Sequence, residues 1–194
     1  MKAKLSRIGW LSLAILFAVT GLGVGIWGFW QATHPPDASE AYISCQKDEK
    51  ITEISAGGNK LEGTKLPNYT PVKQVSKLSC IDGVVGSGST INSFNTITAN
   101  YTGAMASSGV IFESSLDSGQ PITVALNQVI EGWAKGLAGM QVGGTRRLMI
   151  PAEMAYGTQG SCKTVDQTDP TKCQEYAIAP NTPLVFDVSV TGSQ

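Results

Sequence analysis

Gln128-Val129-Ile130-Glu131-Gly132-Trp133-Ala134-Lys135-Gly136-Leu137-Ala138-Gly139-Met140 is the stretch in the second half of the chain whose apolar residues recur at helical spacing. Val129, Trp133, Leu137 and Met140 fall on one stripe, with Ile130 at its edge, and Gly139 stands where a glycine helps to end a helix. On both sides of this stretch the period changes to two. Ile97, Ala99 and Tyr101 alternate with Thr96, Thr98 and Asn100, and Ile122, Val124 and Leu126 alternate with Thr123 and Ala125. Leu148 and Ile150 flank Met149, and Leu184, Phe186, Val188 and Val190 alternate with Val185, Asp187 and Ser189. Segments of this kind, bounded by Gly, Asn, Ser and Pro, are strands with one face suited to a core. Several antiparallel strands and one short helix predict an α+β domain in which a twisted antiparallel sheet wraps its apolar face around the helix.

Upstream, the pattern changes again. Residues 8–31 carry no charge and are rich in Leu, Ile, Val, Phe, Ala and Gly, long enough as a helix to cross the hydrocarbon layer. Lys2, Lys4 and Arg7 precede this run, so residues 1–7 are expected to be a basic cytoplasmic start and 8–31 a transmembrane signal-anchor that delivers the rest outside the cytoplasm. A cleaved signal peptide is the competing reading, although its apolar stretch is usually shorter. Residues 32–63, opening with His34-Pro35-Pro36, read as a polar stalk or linker, and 64–194 as the folded domain. The short basic start points to a bacterial source.

The 194 residues suffice for one good core, and composition narrows what that core does. Three of the 14 basic residues precede the apolar run, which leaves 11 against 15 acidic ones, a balance of −4 that excludes a nucleic-acid partner. The single histidine, His34, lies beside the apolar run, so the domain assembles neither a Ser-His-Asp or Cys-His relay nor a histidine-rich metal site. The Gly-x-Gly-x-x-Gly match at Gly23–Gly28 lies inside the apolar run and not at a strand-to-helix turn, Gly-x4-Gly-Lys-Ser/Thr is absent, and no cofactor is expected. An exported domain permits disulfides among Cys45, Cys80, Cys162 and Cys173. Their spacing leaves three pairings open, of which Cys162 with Cys173 and Cys45 with Cys80 is the most local. Free structural thiols are the alternative, and zinc is disfavoured because no close C-x2-4-C pair exists.

A resemblance becomes specific when distant blocks are taken together. Asn100-Tyr101-Thr102-Gly103, then Gly109-Val110-Ile111-Phe112-Glu113, then Val129-Ile130-Glu131-Gly132-Trp133 with Gly136-Leu137, then Ile150-Pro151 with Ala155-Tyr156-Gly157, and finally Ile178-x-Pro180-Asn181 with Leu184-Val185-Phe186-Asp187-Val188 occur in one order from about residue 78 to the end. In order and spacing the chain resembles FKBP-type peptidyl-prolyl cis/trans isomerases. The resemblance implies a half-wrapped sheet around one helix and a prolyl pocket lined by Tyr101, Phe112, Ile122, Val129, Ile130, Trp133, Tyr156, Ile178 and Phe186. It further implies that Trp133 is the pocket floor, that the Tyr156 hydroxyl and the Ile130 amide hold substrate carbonyls, and that Glu113 places a carboxylate beside them. Proline-containing unfolded or exported polypeptides are then the expected partners.

Each of these residues also has a plainer reading. Val129, Trp133, Leu137 and Phe186 fit ordinary core by periodicity, Tyr101 fits cross-strand packing, Tyr156 a loop anchor, and Glu113, Asp117, Glu131 and Glu153 solvated charges. The sequence also departs from the family pattern. Glu113 stands for the usual aspartate, Ile122 for a frequent aromatic, Ser118 for an arginine that often pairs with the acid, and about 13 residues carrying Cys162 and Cys173 are inserted between Gly157 and Ile178. These departures leave macrolide binding open but argue against tight binding. They also leave a non-catalytic proline-peptide-binding module or chaperone as the alternative to an isomerase, and a purely structural surface domain as a third reading.

Overall fold

The period-two segments pair side by side, and the segment with helical spacing lies against their apolar face. The structure, a computed structural model, describes residues 43–51, 60–165, 169 and 172–194. Its strands are β1 (Gln46–Lys47), β2 (Ser79–Val84), β3 (Thr96–Met105), β4 (Ile111–Ser114), β5 (Ile122–Ala125), β6 (Thr145–Ile150), β7 (Ser161–Val165), β8 (Cys173–Ile178) and β9 (Leu184–Ser193). The helical segments are α1 (Ser115–Ser118) and α2 (Glu131–Leu137), with 3-10 turns at Leu126–Gln128 and Ala152–Met154. The main sheet runs β1-β2-β6-β9-β3-β4, and β5 joins β3 beyond the end of β4. Its pairings are antiparallel except that of β1, which lies parallel to β2 with Gln46 opposite Ile81. The sheet is therefore mixed, which corrects the purely antiparallel expectation. Two polar residues carry no alternation from which β1 could be read.

One face of the sheet holds the main core. Leu184, Phe186, Val188 and Val190 of β9, Ile97 and Ala99 of β3, and Leu148 and Ile150 of β6 pack with Trp133, Leu137 and Met140. Two glycines set how closely α2 approaches. A Cβ at Gly132 would collide with the Ile150 side chain, and one at Gly136 would lie 2.8 Å from Leu148 Cδ2. Each glycine costs about 1 kcal/mol of helix propensity, which the closer packing offsets. Arg146 closes the other end of the helix. Its Nη1 donates to the carbonyls of Gly136 (2.9 Å) and Ala138 (3.3 Å), while Nε and Nη2 bind the Asp82 carboxylate at 2.6 and 3.1 Å. Carbonyls without an intrahelical partner thus receive a cation.

The opposite face is also covered, which strict alternation did not anticipate. Val185 is 0% and Asp187 5% exposed, because residues 61–72 cross behind them. Leu61, Leu66 and Tyr69 form a second cluster with Ala104, Ile111 and Val185. Arg147 sits opposite Asp187 in the ladder and grips it through Nε (2.6 Å) and Nη2 (2.7 Å), while also donating to the carbonyls of Asn68 and Pro67. Burial pushes the Asp187 carboxyl above its usual range despite Arg147. Such a pair fixes geometry more than it adds stability.

Part of the stretch expected to be stalk is built into this domain. Gln46–Lys47 extends the sheet, Ile51 is 3% exposed, and Cys45 is bonded to Cys80. Among the described residues no helix is long and apolar enough to cross a membrane. The span expected over residues 8–31 lies outside the described residues.

Candidate functional site

β3 brings Tyr101 to the sheet face that packs on α2, where four rings converge. The Tyr101 and Trp133 centroids are 5.5 Å apart at 82°, and those of Trp133 and Phe186 are 5.4 Å apart at 90°. Phe112 meets Phe186 at 5.8 Å and 88°, and Tyr101 is tilted against Phe186 at 6.4 Å. Edge-to-face packing of this kind suits the ring quadrupoles and holds each plane in a defined orientation. Gly103, two positions along β3 from Tyr101, makes the room. A Cβ there would lie 2.6 Å from Phe186 Cε1 and 2.7 Å from Phe112 Cζ. The sequence motif contained Gly103 but gave no reason for it.

The aliphatic members arrive from other elements. Ile122 opens β5, Val129 and Ile130 lead into α2, and Ile178 closes β8; all four pack on the same core as the rings. Ile130 occupies the N-cap, where its carbonyl accepts from the amides of Trp133 (2.9 Å) and Ala134 (3.3 Å). Its own amide precedes the helix and stands outside the intrahelical ladder. The Trp133 indole Nε1–H is buried and has no hydrogen-bond partner among the described residues.

Polar groups mark the rim. The exposed Glu113 carboxylate lies beside the Tyr101 hydroxyl, and burial first, then the charge of that carboxylate, push the Tyr101 hydroxyl far above the usual tyrosine range. Tyr156, 37% exposed, is raised in the same direction, by burial and then by the charge of Glu113. Its loop is held by Gly157 N–H to the Ala152 carbonyl (2.8 Å), Gly160 N–H to the Tyr156 carbonyl (3.0 Å) and Asn181 N–H to the Gly157 carbonyl (2.8 Å). Both phenols therefore remain hydroxyl donors at neutral pH.

The structure thus gathers the ring and aliphatic residues singled out in the sequence into one core cluster, with Tyr156 and Glu113 beside it. Leu137 and Met140 are core, as their periodicity suggested. The insertion forms a separate two-stranded sheet of β7 and β8, closed by Cys162–Cys173, and its first pair, Ser161 opposite Ile178, roots it beside the rings. Cys45–Cys80 is the second disulfide, so the most local of the three pairings is the one adopted. Two other features escaped the sequence reading. Asp117, taken as a solvated charge, accepts the backbone amides of Leu61 and Glu62. Ser115 Oγ accepts the backbone amide of Tyr101 at 2.9 Å.

A sheet packed on one short helix, with four aromatic rings gathered between them, is the architecture of the FKBP-like class of folds. Residues 88–191 match the family described as FKBP-type peptidyl-prolyl cis-trans isomerase. A probable FKBP-type peptidyl-prolyl cis-trans isomerase of Haemophilus influenzae is 38% identical over 177 residues, covering 79% of this chain and 68% of that protein. An FK506-binding protein of Neisseria meningitidis is 41% identical over 96 residues, covering 48% of this chain and 75% of its own. The crystal structure of AtFKBP13 superposes with a TM-score of 0.51 at 34% identity, over 62% of this chain and 96% of that one. The chain belongs to the FKBP-type peptidyl-prolyl cis-trans isomerases.

Proposed function

We propose that the chain isomerises Xaa-Pro bonds of exported polypeptides in the basin formed by Tyr101, Phe112, Trp133 and Phe186, with no covalent step. The observation that carries this reading is the convergence of those four rings at 5.4 to 6.4 Å, with the Glu113 carboxylate beside Tyr101. Rotation about an Xaa-Pro bond is opposed by a barrier of about 18–20 kcal/mol, because amide conjugation is lost at the twisted geometry. A site that fits the twisted form better than either planar form lowers that barrier, tenfold for each 1.4 kcal/mol of difference, approximately. Apolar walls supply this for the proline ring and for the carbonyl that swings out of conjugation.

Trp133 serves as the floor under the proline ring in this reading, and Phe112, Phe186, Val129, Ile122 and Ile178 as its walls. The Ile130 amide and the Tyr156 hydroxyl hold the flanking carbonyls, and Glu113 fixes Tyr101. The inserted β7–β8 hairpin roots at Ile178, so substrate reaches the basin past it. Residues 8–31 act as a membrane anchor after a basic cytoplasmic start at 1–7, the part of the 32–63 stretch before Cys45 joins the anchor to the domain, and the domain works in an oxidising compartment, in keeping with its two disulfides.

The test is acceleration of cis/trans exchange in a short Xaa-Pro peptide by the full chain, with Tyr156→Phe and Trp133→Ala each lowering it. A folded chain that binds the peptide without altering its exchange rate would instead make the domain a proline-binding module.

A further inference from the structure

The strand carrying Phe112 and Glu113 has an outer edge, and an upstream segment occupies it. Gly63 N–H donates to the Ile111 carbonyl (2.8 Å), Ile111 N–H to the Thr64 carbonyl (2.9 Å) and Leu66 N–H to the Gly109 carbonyl (2.8 Å). Lys65 and Val110 face each other there as antiparallel partners. Leu66, 4% exposed, anchors the segment in the second core beside Ile111. One side chain fixes its beginning. Asp117 Oδ1 accepts from the Leu61 amide at 2.7 Å, and Oδ2 from the Glu62 amide at 3.0 Å.

Asp117 belongs to α1, and α1 touches Tyr101 as well. The β4 ladder along β3 ends at Thr102 opposite Ser114, and the β5 ladder begins at Ala99 opposite Ile122. Between them the Tyr101 amide is met by Ser115 Oγ at 2.9 Å, and Ser114 Oγ donates to the Tyr101 carbonyl at 3.1 Å. A four-residue helix has no stability of its own, so what holds α1 in place is what surrounds it. Residues 61–66 form one side of that surround, with Asp117 as the link.

We infer that Asp117 is a positioning residue of the isomerase site, acting through residues 61–66 and α1 to hold Phe112 and Glu113 against Tyr101. This rests on the reading of the basin as the prolyl site. Turnover depends on fitting a twisted peptide bond, and wall displacements of about 1 Å lower such rates by up to about a hundredfold. Asp117 itself is exposed, so its replacement removes no core side chain.

The experiment compares the full chain with its Asp117→Ala and Asp117→Asn variants for turnover of an Xaa-Pro peptide and for thermal midpoint. Asp117→Ala is expected to lower kcat/KM by roughly three- to tenfold, mainly in kcat, with the midpoint changed by no more than about 2 °C. Asp117→Asn, which keeps one acceptor oxygen, is expected to fall between. A cross-link supplies the decisive control. Lys65 and Val110 form a non-hydrogen-bonded pair, a geometry whose Cα separation of about 4.5 Å a disulfide spans. In Asp117→Ala with Lys65→Cys and Val110→Cys, the oxidised form should regain most of the lost turnover, and the form alkylated before oxidation should not. Turnover of Asp117→Ala within about 1.5-fold of the parent, or a loss that follows the midpoint and is not restored by the cross-link, overturns the proposal. Phe112→Ala separates the two readings. If it impairs turnover while Asp117→Ala does not, only the positioning role fails; if Phe112→Ala is silent, the reading of the basin fails first.

Discussion

The Glu113 carboxylate stands beside the Tyr101 hydroxyl across the β3–β4 pair, where Glu113 lies opposite Gly103, and its charge helps keep the proton on Tyr101. The two groups are thereby coupled electrostatically between neighbouring strands. Removing either partner should cost about the same. Glu113→Ala and Tyr101→Phe are each expected to lower kcat/KM by roughly tenfold, about 1.4 kcal/mol, and the double variant by little more than either alone, because the two act as one unit. Peptide exchange kinetics on the four proteins checks this, and fully additive losses would show that the two residues act independently.

Burial holds the hydroxyls of Tyr69, Tyr101 and Tyr156 above the ordinary tyrosine value of 10.0. The folded chain therefore keeps these protons at pH values where the unfolded chain has lost them, and stability must decline as pH rises. The contribution is fully present below about pH 10 and is lost progressively above it. Thermal midpoints between about pH 8 and pH 11.5 should be level and then fall. Tyr101→Phe should make the alkaline decline shallower.

Gly103→Ala places a methyl group against both Phe186 and Phe112, in contact distances of 2.6 and 2.7 Å. Neither ring can retreat without disturbing the other pairs. Overpacking of this kind is expected to cost about 1–3 kcal/mol in denaturant titration. It should also reduce turnover by more than the stability loss accounts for, since the displaced rings are those proposed to receive the proline.

The two disulfides differ in what they hold. Cys80 is buried in the main core and its bond closes a separation of 35 residues, whereas Cys162–Cys173 closes 11 within a separate hairpin. Loop-closure entropy gives about 4 kcal/mol for the longer and about 3 kcal/mol for the shorter. Only the first should appear in the cooperative transition of the domain. Calorimetry is expected to show a large drop in midpoint for Cys45→Ser with Cys80→Ser, and a small one for Cys162→Ser with Cys173→Ser.

The periodicity of β3, β6 and β9 and the stripe from Val129 to Met140 were enough to assign an apolar sheet face packed on a helix, because both patterns record burial directly. They did not reveal that Val185 and Asp187 are buried too. That burial comes from residues 61–72, whose Leu61, Leu66 and Tyr69 lie at no regular spacing, since they cover the sheet as an irregular segment. Gly132 and Gly136 weakened the helical signal by propensity, yet they are the reason α2 can lie so close to Ile150 and Leu148. In the site, periodicity marked Trp133 and Phe186 only as core, and the resemblance singled them out as lining. Neither reached Asp117 or Ser115, whose partners are backbone amides contributed by distant parts of the chain.

The most direct measurement follows an Xaa-Pro peptide by exchange NMR in the presence of the full chain, while recording contacts between its proline ring and the protein. Cis/trans exchange peaks should grow with protein concentration, and in the same sample the proline ring protons should show through-space contacts to Trp133 and Phe186, with the Trp133 indole N–H resonance shifting as the basin fills. Exchange left at its uncatalysed rate, or accelerated exchange with no contact to those rings, would contradict the account.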